Sequence, residues 1–180
     1  MEWIMMTLAG TRSVSEYVKA IPGLKLSIDY EGDSLKNFYR MMEMAQDDAV
    51  FLQDDIMLCK DFIKKVGEAV KKYPKDVIQF FTMRRKPYEV GKPYYENGSK
   101  WLMNQCFYMP KEISRELAEY ETEDEEILKR GSQDMLMKAY FKEKKMKYVQ
   151  WNKSLVQHKI GKSVMYPKSS RRVDERFKME

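Results

Sequence analysis

The sequence predicts an α/β domain with a mostly parallel central sheet flanked by helices, and three observations lead there. Apolar clusters with the spacing of strands alternate with stretches of helical period over residues 4–82. Ala49-Val50-Phe51-Leu52 is apolar at every position, as a strand covered on both faces must be. At 180 residues and 43% apolar content the chain can build one compact core, so a single domain is expected over 1–180.

Ile4 to Leu8 reads as a short buried strand ended by Gly10, and a helix through Val14, Tyr17 and Val18 follows until Pro22-Gly23 stops it. Leu24, Leu26 and Ile28 alternate with Lys25, Ser27 and Asp29, the period of a half-exposed strand. The chain thus opens β-α-β. Ser34 is placed to cap the next helix, whose stripe is Leu35, Phe38, Met41, Met42 and Ala45. The apolar strand at 49–52 delivers Asp54-Asp55 to its carboxyl end; Ile63, Val66 and Val70 then mark a helix closed by Pro74, and Val77 to Thr82 a further strand. From Met83 to Lys100 the period lapses, which predicts a long loop. Trp101 to Met109 returns to strand composition, helices are expected near 111–119 and 124–142, and Tyr148 to Gln157 reads as a last strand before a basic tail from about 159.

Charged residues make up 34% of the chain and its net charge is +5, a globular rather than a disordered composition. No apolar run approaches the ~20 residues that cross a bilayer, and the start lacks a basic leader with an apolar stretch, so a cytoplasmic protein is expected. Cys59 and Cys106 are too few for a disulfide framework or a zinc site and read as buried thiols. In the tail, Lys159, Lys162, Lys168, Arg171, Arg172, Arg176 and Lys178 outnumber Asp174, Glu175 and Glu180. Such a tail suits a polyanion, whether a diphosphate or a nucleic-acid backbone, and equally suits a solvated end.

Three places carry residue types that can do chemistry. In Phe51-Leu52-Gln53-Asp54-Asp55-Ile56 an apolar strand presents adjacent carboxylates where α/β sheets collect ligands. Mg²⁺ or Mn²⁺ takes oxygen ligands, and one or two carboxylates plus substrate phosphates complete its shell. A bare Asp-Asp pair is also an ordinary solvated turn. His158, the one histidine of the chain, lies in Ser154-Leu155-Val156-Gln157-His158 and can ligate Mn²⁺ or contact phosphate, with Lys162 close by in sequence; a lone histidine is as readily structural. Asp134, in Gly131-Ser132-Gln133-Asp134-Met135-Leu136-Met137, stands at or near a helix start among apolar side chains. A carboxylate partly removed from water is a better general base, and a first-turn acid also complements the helix dipole.

Taken together and in order, Lys36 to Gln46 with Ala49 to Ile56, then Gly131 to Met137, then Ser154 to His158 with Gly161 and Ser163, resemble nucleotide-sugar glycosyltransferases of the Rossmann-like glycosyltransferase-A fold. Within them the chain is similar to the catalytic region of the N-acetylglucosaminyltransferases that branch N-glycans at the mannose 4-position. That family has Glu-Asp-Asp where this chain has Gln53-Asp54-Asp55, and its segment Ser-Leu-Phe-Gln-His corresponds to Ser154 to His158. The sequence is much shorter than those enzymes, carries an extra lysine before Gly161 and is expected to lack their membrane anchor, so sugar and acceptor do not transfer.

The resemblance implies a nucleotide-sugar donor, a divalent metal (Mn²⁺ or Mg²⁺) on Asp55 and His158, Asp54 and Lys162 on the donor side, and Asp134 as the base. Arg12 and Asp29, at the carboxyl ends of the first two strands, with Arg40 nearby, are candidates to hold the nucleoside, or are surface charges. Trp101, Tyr94 and Tyr95 are candidates for an apolar acceptor platform, or for packing. The hydroxyl acceptor is expected to be a glycan or small molecule, or a hydroxylated base in DNA, for which a basic end and stacking aromatics are suited. Two other classes fit the same residues: a non-catalytic nucleic-acid-binding protein, and a metal-dependent nucleotidyltransferase.

Overall fold

A computed structural model describes residues 1–10, 13–84, 86–159 and 177, with Tyr88 described by its backbone alone. The chain opens with β1 (Glu2–Leu8), α1 (Ser15–Ala20), β2 (Leu24–Asp29), α2 (Ser34–Glu43) and β3 (Ala49–Gln53). It continues through β4 (Ile56–Leu58), α3 (Phe62–Lys72), β5 (Ile78–Gln79), α4 (Lys86–Val90), β6 (Tyr94–Asn97), a 3₁₀ turn (Gly98–Lys100) and β7 (Cys106–Met109). α5 (Lys111–Ala118), α6 (Glu125–Arg130), α7 (Gln133–Glu143), β8 (Lys147–Gln150) and β9 (Val156–His158) complete it. Among the described residues no helix is long and apolar enough to cross a membrane.

Seven of the described strands form one sheet in the order β2-β1-β3-β7-β5-β8-β6, while β4 and β9 pair separately. β1 runs parallel to β2 and β3, and β5 parallel to β8; β7 is antiparallel to both β3 and β5, and β6 to β8. The sheet is therefore mixed, with β6 and β7 reversed against the other five. Leu8 faces Asp29 and Met6 faces Gln53, so the carboxyl ends of β1, β2 and β3 share one edge. Leu52 opposite Cys106 brings the amino end of β7 to that edge.

Alternation along each strand divides the core into two layers. Trp3, Met5, Val50, Leu52, Cys106 and Tyr108 face Tyr17, Phe62 and Val66 of α1 and α3. Ile4, Phe51, Phe107 and Met109 face Phe38, Met41 and Met42 of α2 and Leu136, Tyr140 and Phe141 of α7. β3 is covered on both sides, as its apolar run requires. Both cysteines are buried free thiols, and burial raises the pKa of each.

Several expected boundaries shift for local reasons. The cap of α2 is Asp33, whose carboxylate accepts from the N–H groups of Leu35 and Lys36, while Ser34 is the first helical residue. The expected helix at 124–142 is two: Gly131 at φ 58° takes the left-handed conformation that ends α6, and Ser132 caps α7. Residues 83–100 are not a continuous loop, since they contain α4, edge strand β6 and the 3₁₀ turn. The expected strand from 101 narrows to Cys106–Met109, because Met103 adopts φ 77°. The expected last strand is also two, β8 in the main sheet and β9 beside β4.

Candidate functional site

β9 carries His158 to the acidic pair. It lies antiparallel to β4 with Ile56 opposite His158, and the Lys159 N–H donates to the Asp55 carbonyl at 2.6 Å. The local sequence explains why the strand docks there. The Ser154 hydroxyl accepts from the Thr82 N–H at 3.1 Å and donates to the Thr82 carbonyl at 3.2 Å. The Leu155 N–H donates to the Phe80 carbonyl, and Leu155 and Val156 bury against Ile56 and Cys59. His158 is thereby fixed at 8% exposure with Nε2 2.8 Å from Asp55 Oδ2.

The other ring nitrogen, Nδ1, lies 2.9 Å from the Lys159 carbonyl. A carbonyl only accepts, so Nδ1 carries a hydrogen, and in the neutral ring Nε2 then points a lone pair at a carboxylate oxygen. Two such atoms this close share a proton, carried by the ring or by the carboxyl, or flank a metal ion. Their 2.8 Å separation is what neighbouring ligands of an octahedral Mg²⁺ or Mn²⁺ show with bonds of about 2.1 Å. Among the described residues no group of three His, Cys, Asp or Glu side chains surrounds one point. Two such side chains are an imidazole–carboxylate ion pair as they stand, and could hold a metal only with the rest of its shell from substrate phosphates and water.

Asp54 is anchored differently. The Thr7 hydroxyl donates to its Oδ2 at 2.6 Å, and the Tyr17 hydroxyl donates to its backbone carbonyl at 3.0 Å and also meets the Ile56 carbonyl. Burial raises the pKa of Tyr17, which keeps its phenol protonated and able to donate. Lys159 Nζ pairs with Glu16 and sits 4.8 Å from the centre of the Tyr17 ring. Burial opposes its charge, but the Glu16 and Tyr17 contacts outweigh burial and hold its pKa above the usual value. Thr7 and Tyr17 were not among the sequence candidates: their bonds to Asp54 span 47 and 37 residues and have no local signature.

Asp134 is half-buried in the first turn of α7. Its neighbour Gln133 accepts from Gln53 Nε2 at 3.2 Å, and Gln53 immediately precedes Asp54. The start of α7 therefore reaches the sheet edge that carries the acidic pair. Gln105, opposite Gln53 through a backbone bond, and Asn104 add buried amides there. Gln105 Oε1 and Asn104 Nδ2 have no hydrogen-bond partner among the described residues.

The remaining candidates sit as follows. Asp29 is buried at the end of β2, where Oδ1 accepts from the N–H groups of Glu31 and Gly32 at 2.9 Å each and shapes a turn. Arg40 donates to the Ile28 carbonyl at 2.8 Å and lines a shallow hollow with Asp33, Lys36 and Tyr39. The two lie at the carboxyl end of β2, each with a structural bond of its own. Arg12, Lys162 and most of the basic tail lie outside the described residues, although Phe177 packs against the α1–α3 core layer.

The aromatic platform is not assembled. Trp101 is 2% exposed and packs edge-on against Phe107, Phe141 and Tyr148, so it is core. Tyr94 and Tyr95 lie on edge strand β6, with Tyr94 under the Lys86 ammonium and Tyr95 against Tyr73. In comparisons with known proteins, no protein-family model matches the chain and no curated protein matches it significantly.

Proposed function

We propose that the protein is a metal-dependent glycosyltransferase that moves a sugar from a nucleoside diphosphate sugar to a hydroxyl acceptor. The observation that carries the reading is the placement of His158 Nε2 2.8 Å from Asp55 Oδ2 at the sheet edge where α/β folds bind ligands. The pair joins residues 103 apart in sequence (158 minus 55), and the lone histidine meets the acid that the motif resemblance makes a metal ligand.

Asp55 and His158 would hold the metal, which would supply positive charge to the donor diphosphate. Asp54 lies beside them on the donor side, its carboxylate oriented by Thr7. Asp134 takes the proton of the acceptor hydroxyl. The acceptor oxygen forms a bond to the anomeric carbon as the bond from that carbon to the diphosphate oxygen breaks. The nucleoside diphosphate leaves with the electron pair, and attack opposite the leaving group inverts the anomeric centre.

The test is a melting screen of nucleotide sugars with and without Mn²⁺. A ligand at a hundredfold excess over its Kd adds about 2.7 kcal/mol to native stability. One donor is expected to raise the melting temperature of the wild type only with metal present, and to leave Asp55→Ala unmoved. If no donor shifts the wild type, the reading fails. Mass spectrometry of the product separates sugar transfer from nucleotidyl transfer, and a salt-dependent gain in rate with DNA acceptors separates a base acceptor from a glycan.

A further inference from the structure

Gln133 is buried, and three groups fix its amide. Its Nε2 lies 2.6 Å from Ser34 Oγ, 3.1 Å from the Ser34 carbonyl and 3.4 Å from Met6 Sδ. The Ser34 carbonyl can only accept, so the amino side of the amide must face α2 and β1. Oε1 must then face β3, where it needs a donor, and Gln53 Nε2 supplies one at 3.2 Å. The chain of donors therefore has a direction, from Gln53 to Gln133 to Ser34. An acid at position 53 would set oxygen against oxygen.

Leu136 and Met137 seat the next residues of α7 in the core, and Gln133 is the buried polar side chain of its first turn. The cap bond of the helix, from the Met135 N–H to Ser132 Oγ, is long at 3.4 Å, and Gly131 before it is in the left-handed conformation. Fixing Gln133 fixes the rotation of the first turn, and Asp134 is the next residue round it, turned by about 100°.

The geometry points to Gln53, Gln133 and Ser34 as positioning residues: a directional amide relay that sets the orientation of Asp134 at the edge of β3. This role rests on Asp134 being the base of the proposed reaction. The relay itself does not, which allows the two to be tested apart.

Hydrogen exchange at the amides of residues 133–137 and steady-state transfer kinetics are measured for Gln53→Glu, Ser34→Ala and Ser34→Thr. Gln53→Glu is expected to speed exchange at the start of α7 and lower kcat by about tenfold or more, since misplacing a reacting group by an ångström costs up to about a hundredfold. Donor KM is expected to stay within about twofold, because uniform binding is untouched. Ser34→Ala should show the same pattern more weakly, by about threefold in kcat on the loss of one of several bonds. Ser34→Thr, which keeps the hydroxyl, should restore both readouts. Unchanged exchange in Gln53→Glu overturns the relay; faster exchange with unchanged kcat overturns its link to the reaction. Should Gln53→Glu fail to fold, the Ser34→Ala and Ser34→Thr pair decides alone. Wild-type kcat in Asp134→Asn would remove Asp134 as the base, and the exchange result would still say whether the relay holds the helix.

Discussion

The two halves of the main sheet are built on different principles. In β2-β1-β3 the strands are five to seven residues long, run parallel, and follow one another through short helices. In β7-β5-β8-β6 they are two to four residues long, mixed in direction, and neighbours in space are distant in sequence. The first half is specified by local period; the second coheres through packing of Trp101, Phe107, Phe141 and Tyr148. The candidate site lies where the first half's carboxyl edge meets Gln133 and Asp134, on the helix between β7 and β8, and His158, which follows β8. Chemistry at one edge and cohesion in the other half should therefore separate under mutation.

The largest separation is expected for Asp55→Ala and His158→Ala. Each should cut metal-dependent transfer by about 10²–10³-fold, as loss of a transition-state charge contact does, with the melting temperature of the unliganded protein nearly unchanged. A large fall in melting temperature instead would make the pair a structural ion pair.

Trp101→Ala should do the reverse. Removing a buried aromatic that touches three others is expected to cost about 3–5 kcal/mol in urea unfolding, while the metal-dependent donor shift survives in the folded fraction. Loss of the donor shift at unchanged stability would return Trp101 to the site.

Tyr17→Phe probes the seam between edge and core. It leaves the Asp54 and Ile56 carbonyls without their donor, and a loss of about 1–3 kcal/mol is expected by denaturant titration. An unchanged midpoint would show that those carbonyls have other partners. Asp33→Ala, which removes the α2 cap, should cost about 1 kcal/mol in the same titration.

The smallest effect concerns pH. Glu96 on β6 is nearly enclosed; burial favours its neutral form, but the Asn97 N–H and the Lys86 and Lys100 ammonium groups outweigh burial and hold its pKa below 4.5. A depressed folded-state value means the stability it contributes is present above the unfolded pKa and is lost as pH falls through the folded one. Wild type and Glu96→Gln should therefore differ in melting temperature near neutral pH and converge as acid protonates the folded-state carboxylate. A difference that persists in acid would assign the effect to packing.

Much of the first half was legible because its signals are local. The β-α-β opening, the stripe Leu35, Phe38, Met41 and Met42, and the run 49–52 all appear where period and composition placed them. The second half resisted for stated reasons. A two-residue strand such as Ile78–Gln79 has no period to read, a five-residue helix such as Lys86–Val90 has barely one turn, and Tyr94–Asn97 is held by its pairing with Lys147–Gln150. The sequence leaves Trp101 open between platform and packing because aromatics in an aperiodic stretch carry no mark of burial; the packing of Phe107, Phe141 and Tyr148 decides for the core.

From the residues alone came the layer architecture, the delivery of two carboxylates to a strand tip, and the candidacy of Asp134 and His158, because strand and helix period, glycine punctuation and residue chemistry act over a few positions. Tertiary structure alone decided that His158 faces Asp55, that Thr7 and Tyr17 hold Asp54, and that Gln53 reaches Gln133. Those contacts join residues 37 to 103 apart, and a hydrogen bond across such a span exists only once strand order and register have placed both partners.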